Sequence, residues 1–143
     1  MKVNIVFPVL DEERRLEKGI HTTEAFLAKR RDIDAVITIV DNGSTDRTPD
    51  IIKELADVYS NIEYIRLSER GFGLAFREAV KRNRCDIIGY VDVDLSTDIH
   101  YLSKVMKAFE KYDDISVIKG NRLSGKSKVN GRKPLRNITS IGL

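Results

Sequence analysis

Residues 35–49 read Ala35-Val36-Ile37-Thr38-Ile39-Val40-Asp41-Asn42-Gly43-Ser44-Thr45-Asp46-Arg47-Thr48-Pro49, and their order decides the fold class. The opening apolar, β-branched run is short enough to be a strand buried on both faces. It breaks at a polar turn in which Asn-Gly supplies the bend and Asp46 caps a helix. Thr48 is a second capping candidate, and Pro49 suits the first helical position, where its missing N–H costs nothing. Ile51, Ile52, Leu55 and Val58 then recur with helical spacing. Turn chemistry accounts for Asn42, Gly43 and Asp46 but leaves Asp41 for a ligand.

The same alternation extends in both directions. Apolar runs at Val3 to Val9, Ile62 to Leu67, Ile87 to Val91 and Ile115 to Ile118 bring the expected strands to five. Helical spacing appears in Leu16, Ile20, Thr23 and Leu27; in Leu74, Ala75 and Ala79; and in Ile99, Leu102, Val105, Met106 and Phe109. The last of these four expected helices starts near Thr97 and Asp98. Strand and helix repeated in this way predict an α/β fold: a mostly parallel, Rossmann-like sheet with helices on both faces and right-handed crossovers. The expected strand order is 3-2-1-4, as in the first half of a doubly wound sheet. Ligands of such sheets sit beyond the carboxyl ends of the strands, at the point where the order reverses.

A chain of 143 residues, 41% hydrophobic and 33% charged, has the size of one domain with one core, and this composition argues against disorder. Its single cysteine, Cys85, lacks the spacing of a zinc site and reads as an inert residue in a reducing compartment. No apolar run approaches the roughly 20 residues of a membrane-spanning helix, which suits a cytoplasmic location with peripheral membrane contact. The net charge of +3 conceals segregation. Lys119, Arg122, Lys126, Lys128, Arg132, Lys133 and Arg136 lie in a stretch without Asp or Glu, and the rest of the chain is net acidic. That stretch reads either as a solvated tail or as a phosphate site. A nucleic-acid role is disfavoured, because the tail has no interleaved aromatics. Most Phe and Tyr residues are assigned to the core, and His21 and His100 to surface or packing positions.

The strand ends carry the chemistry. After the first strand comes Pro8-Val9-Leu10-Asp11-Glu12-Glu13, acids where a dinucleotide-binding unit would place GxGxxG. After the third comes Glu69-Arg70-Gly71-Phe72-Gly73, a turn with flexible backbone or a close approach to a bound group. After the fourth comes Asp92-Val93-Asp94-Leu95-Ser96; on an extended segment both carboxylates would project the same way and meet a hard divalent cation. With the strand order above, Asp11, Glu12, Asp41, Asp92 and Asp94 would crowd one edge. Like charges so placed need a cation or donor groups to offset their repulsion.

Four segments, FPVLDEE, IVDNGSTD, ERGFGLAFREA and YVDVDLS, covering roughly Val3 to Ser96, together resemble a family 2 glycosyltransferase with the GT-A nucleotide-sugar fold. Asp11 stands where Asn is usual, and Asn42 where a second Asp is frequent. The resemblance implies that Pro8, Leu10 and Glu12 line the nucleoside pocket and that Asp41 accepts a hydrogen bond from the base. It places Arg70, Gly71 and Gly73 beside the nucleotide, Asp92 at ribose or metal, and Asp94 on Mg2+ or Mn2+. Asp92 and Asp94 are thus the implied catalytic pair, and the donor a UDP- or GDP-linked sugar. The C-terminal stretch is more loosely similar to enzymes that transfer sugar to polyprenyl or dolichyl phosphate, with Arg122, Arg132 and Arg136 toward the acceptor phosphate. Residues 1–118 are then the nucleotide-sugar core, and 119–143 a basic loop opening an acceptor region that is cut short at Leu143.

Two alternatives stand beside this reading. Asp92-Val93-Asp94 also resembles the nucleophile loop of haloacid-dehalogenase-like phosphatases. That family places its motif after the first strand, however, and three strands precede it here. The other alternative is a nucleotide-binding module without turnover.

Overall fold

A computed structural model of the chain describes residues 1–121. Strands and helices alternate as β1 (Lys2–Val9), α1 (Leu16–Ala28), β2 (Asp34–Asp41), α2 (Thr48–Val58), β3 (Ile62–Arg66), α3 (Phe72–Arg82), β4 (Ile87–Tyr90) and α4 (Tyr101–Lys111). The four strands form one sheet in the order β3-β2-β1-β4, and every pairing is parallel. This is the expected order. Parallel neighbours need crossovers, and right-handed crossovers that run one way from β1 to β3 and then reverse to β4 put their helices on opposite faces.

Side-chain parity follows that rule. Val6, Val40 and Ile65 pack with Ala75 and Ala79 of α3, while Ile5, Phe7, Ile37 and Ile39, of opposite parity, are buried on the other face. The central strands are therefore apolar on both sides, and at roughly 25 cal/mol per Å2 of apolar surface this burial is the main stabilising term. Buried polar groups on the α3 face are paired: the Thr38 hydroxyl donates to Asn4 Oδ1 at 2.8 Å, and Asn4 Nδ2 donates to Asn83 Oδ1 at 3.2 Å. These bonds link β2, β1 and the segment leading into β4. The compact unit Met1–Ser103 holds the whole sheet, and a second unit begins at Lys104.

Four expectations are corrected. Ile115 to Ile118 is not a strand: it pairs with no other strand among the described residues, and Val117 is 81% exposed. Thr48 does not cap α2. It is the first helical residue, and its own N–H donates to Asp46 Oδ1 at 2.9 Å, so Asp46 does that work. The fourth helix starts at Tyr101 rather than near Thr97, after a turn in which the Asp98 carboxylate accepts from the His100 N–H. Finally, Tyr90, Tyr101 and Tyr112 are exposed, whereas Phe7 and Phe26 are in the core. Cys85 is half-buried, and that burial pushes its thiol pKa up, in keeping with an inert residue.

Candidate functional site

The order reverses between β1 and β4, so the carboxyl ends of these two strands flank the switch point. Beyond β1 the chain exposes Leu10 and turns at Asp11, whose φ of 52° is a left-handed conformation that Asp tolerates better than most residues. The turn is laced to the loop after β2. The Asp11 N–H donates to Ser44 Oγ at 2.9 Å, Glu12 N–H to Thr48 Oγ1 at 2.8 Å, and Glu13 N–H to Asp46 Oδ2 at 3.1 Å. In return Thr45 N–H donates to Asp11 Oδ1 at 2.8 Å and Arg47 N–H to Glu13 Oε2 at 3.1 Å. Two strand-end loops thus behave as one rim. Glu12 itself is gripped by Arg15 through bonds of 2.7 and 2.9 Å.

Asp41 ends β2 and is fully buried. Its Oδ1 accepts from Ser44 N–H at 2.8 Å, while Oδ2 lies 3.3 Å from the Tyr64 hydroxyl and 3.7 Å from Arg66 Nη1. The carboxylate thus organises its own turn and has Tyr64 and Arg66 of β3 as neighbours. Burial, together with the Asp41 charge, pushes the Tyr64 hydroxyl pKa up, against the opposing influence of Arg66. Asp46 is a tuned acid. Burial alone would raise its pKa, but the Thr48 hydroxyl and the N–H groups of Thr48 and Glu13 outweigh it and hold the carboxyl below its ordinary value.

At the end of β4 the ladder continues by one bond, Val91 N–H to Val6 O at 2.9 Å, and then curls. Leu95 N–H donates to Asp92 O at 2.9 Å and Leu95 adopts φ 51°, so the Asp92–Leu95 segment is a tight turn rather than an extended strand. The alternation argument for two carboxylates on one side is thereby corrected. Asp92 is half-buried, Asp94 is exposed with Oδ1 accepting from Ser96 N–H, and Val93 between them is buried. Nor does the rim hold a preformed ion cage: among the described residues no three acidic, His or Cys side chains gather closely enough to hold a metal. Carboxylate oxygens are the donor type that Mg2+ and Mn2+ take, commonly one or two of them with phosphate and water completing the shell.

Pro8 is half-buried in β1 and Arg70 is exposed before α3. Gly71 joins the rim by donating its N–H to Asn42 Oδ1 at 3.4 Å. Neither glycine of this turn needs unusual backbone, since Gly71 has the extended φ of 170° and only Gly43, at 81°, is a left-handed glycine among the described residues. Gly73 faces open space, with no atom within 4 Å of where a Cβ would stand. A depression of about 380 Å3 lies against Asp11, Glu12, Glu13, Arg14, Arg15 and Asp46. The structure therefore brings Asp11 and Glu12 into one bonded rim with the loop after Asp41, and sets Asp92 and Asp94 at the end of β4. Arg122, Arg132 and Arg136 lie outside the described residues. The sequence reading takes Thr48 only as a cap and gives no role to Ser44, Tyr64 or Arg66. The signal for the last two was their spacing of two on β3, which puts both on one side of the strand next to Asp41.

These features define the class: a GT-A, Rossmann-like fold. The architecture matches a Pyrobaculum calidifontis mannosyltransferase solved with GDP-Man and Mn2+, with a TM-score of 0.64 at 22% identity, over 74% of this chain and 31% of that one. It also matches S. aureus TarS residues 1–349, with a TM-score of 0.61 at 20% identity, over 79% and 33% of the two chains. The chain belongs to glycosyl transferase family 2, whose model matches residues 4–141. It is 31% identical over 151 residues to the Trichomonas vaginalis dolichyl-phosphate beta-glucosyltransferase ALG5D, covering 99% of this chain and 46% of the relative. It is 27% identical over 142 residues to the Pyrococcus furiosus dolichol-phosphate mannosyltransferase, covering 99% and 39%. The chain thus spans less than half the length of these relatives.

Proposed function

We propose that the chain is the donor-binding part of a metal-dependent, inverting glycosyltransferase that moves a sugar from a nucleoside diphosphate to polyprenyl phosphate. The carrying observation is the family match over residues 4–141, together with Asp92 and Asp94 at the end of β4, beside the switch point. Pro8, Leu10 and Glu12 face the nucleoside, Asp41 shapes the turn that meets the base, and Arg70, Gly71 and Gly73 lie beside the nucleotide. Asp92 and Asp94 would hold Mg2+ or Mn2+, which supplies charge neutralisation for the diphosphate.

The acceptor is already anionic at neutral pH, so it needs no general base. Its oxygen attacks the anomeric carbon opposite the leaving group. A carbon–oxygen bond to the lipid phosphate forms as the bond to the diphosphate breaks, and the electron pair leaves with the nucleoside diphosphate. Holding two anions in line is the main task, and Arg122, Arg132 and Arg136 are suited to the acceptor phosphate because guanidinium grips it through paired hydrogen bonds. The dolichyl-phosphate names of the relatives support this acceptor class. Such an acceptor places the chain at a membrane face, and no described helix is long and apolar enough to cross the bilayer.

The test is to incubate the chain with Mn2+, labelled UDP- and GDP-sugars and polyprenyl phosphate. A charged glycolipid is the expected product. Nucleotide binding without product would favour a binding module, and absence of both would defeat the reading.

A further inference from the structure

Helix α1 carries a glycine in its interior, Gly19, where alanine would favour the helix. The fold supplies the reason. A Cβ built on Gly19 would stand 2.3 Å from the Val93 carbonyl oxygen and 3.0 Å from Val93 Cγ2, and both residues are buried. The first contact is with backbone, so it cannot be relieved by turning a side chain. Gly19 is itself held firmly: its N–H donates to Arg15 O at 2.9 Å, and its carbonyl accepts from the buried Thr23 hydroxyl at 3.0 Å. Val93 is the residue between Asp92 and Asp94, in a turn whose next residue, Leu95, already has a left-handed backbone.

We infer that Gly19 is a positioning residue for the proposed donor site: its bare Cα is the seat on which the Asp92–Leu95 turn rests, and it sets where the two carboxylates stand. Gly19 lies on α1, 74 positions before Val93 in sequence. It acts only through Val93. As an assignment to sugar transfer it rests on the reading of Asp92 and Asp94 given above, whereas the seating contact itself does not.

The experiment is Gly19→Ala in the 143-residue chain, read in two ways. In hydrogen exchange, the peptide covering residues 91–96 should exchange at least tenfold faster, while peptides from β1 and β2 keep wild-type protection. In calorimetric titration with UDP or GDP, the gain in affinity on adding Mn2+ should fall at least tenfold, with metal-free affinity within twofold of wild type. A generally weakened helix would instead raise exchange across α1 and leave the Mn2+ gain intact. Unchanged exchange at 91–96 overturns the seat. If Gly19→Ala does not fold, the wild-type chain is read instead: the amides of 91–96 should be protected to the same degree as those of α1 around Gly19, and exchange at 91–96 at least tenfold faster than in α1 overturns the seat. A wild-type chain that gains nothing from Mn2+ defeats the metal reading of Asp92 and Asp94, while the exchange data still judge the seat.

Discussion

Asp41 and Asp11 show how one carboxylate can hold a loop in place. Asp41 is buried and receives the Ser44 N–H and the Tyr64 hydroxyl. Replacing it by alanine strands both donors, at about 1–3 kcal/mol for each buried group left unpaired. Asp41→Ala should therefore lose a few kcal/mol in urea denaturation, and Arg66, half-exposed, should recover solvent rather than add to the loss. A loss below about 0.5 kcal/mol would show that the carboxylate is not the keystone of its turn. Asp11 combines a left-handed backbone with an acceptor for Thr45 N–H. Asparagine offers both, so Asp11→Asn should be close to neutral, whereas Asp11→Ala should cost about 1–2 kcal/mol for the strained backbone alone. The two variants compared by thermal melting separate shape from charge. The partners of Asp41 are hidden in the sequence, because an Asx turn and a partner on β3 look the same there as an unemployed acid.

Among elements, the parallel sheet was legible and its surroundings less so. Short β-branched runs spaced by helical patterns leave few arrangements once crossovers must be right-handed, which is why β3-β2-β1-β4 is legible. The run Ile115 to Ile118 failed the same test because a short apolar stretch carries no information about whether a strand is there to receive it. An extended reading of Asp92–Leu95 fails because nothing in DVDLS announces Leu95 at φ 51°. The lacing of the β1 and β2 loops was equally hidden, since it couples residues some 33 positions apart through main-chain donors. It has a titration signature. Asp46 has a folded pKa below its ordinary 3.8, so its contribution is present above that value and is lost as pH falls through the folded pKa. Between pH 6 and pH 3 the melting temperature of the wild type should fall more than that of Asp46→Asn. Parallel curves would remove Asp46 from the ledger.

For the whole chain, the informative property is the separation of charge along the sequence. Seven Lys or Arg fall between Lys119 and Arg136 without an acid, and the remainder is net acidic. If the acidic part takes the donor through a metal and the basic part takes a lipid phosphate, the two binding events should be separable by mutation and by salt. Arg122→Ala, Arg132→Ala and Arg136→Ala combined should weaken binding to vesicles containing polyprenyl phosphate at least tenfold, while UDP or GDP affinity with Mn2+ stays within twofold. The matching Arg→Lys triple keeps the charge but not the bidentate grip, so it should fall between the two. Vesicles carrying an unrelated anionic lipid separate recognition from attraction. Simple attraction would make all anionic vesicles equivalent, erase the difference between Arg and Lys, and vanish as salt shortens the screening length. A triple variant that binds polyprenyl phosphate as well as the wild type would move the acceptor site away from this segment and leave the donor half of the proposal standing by itself.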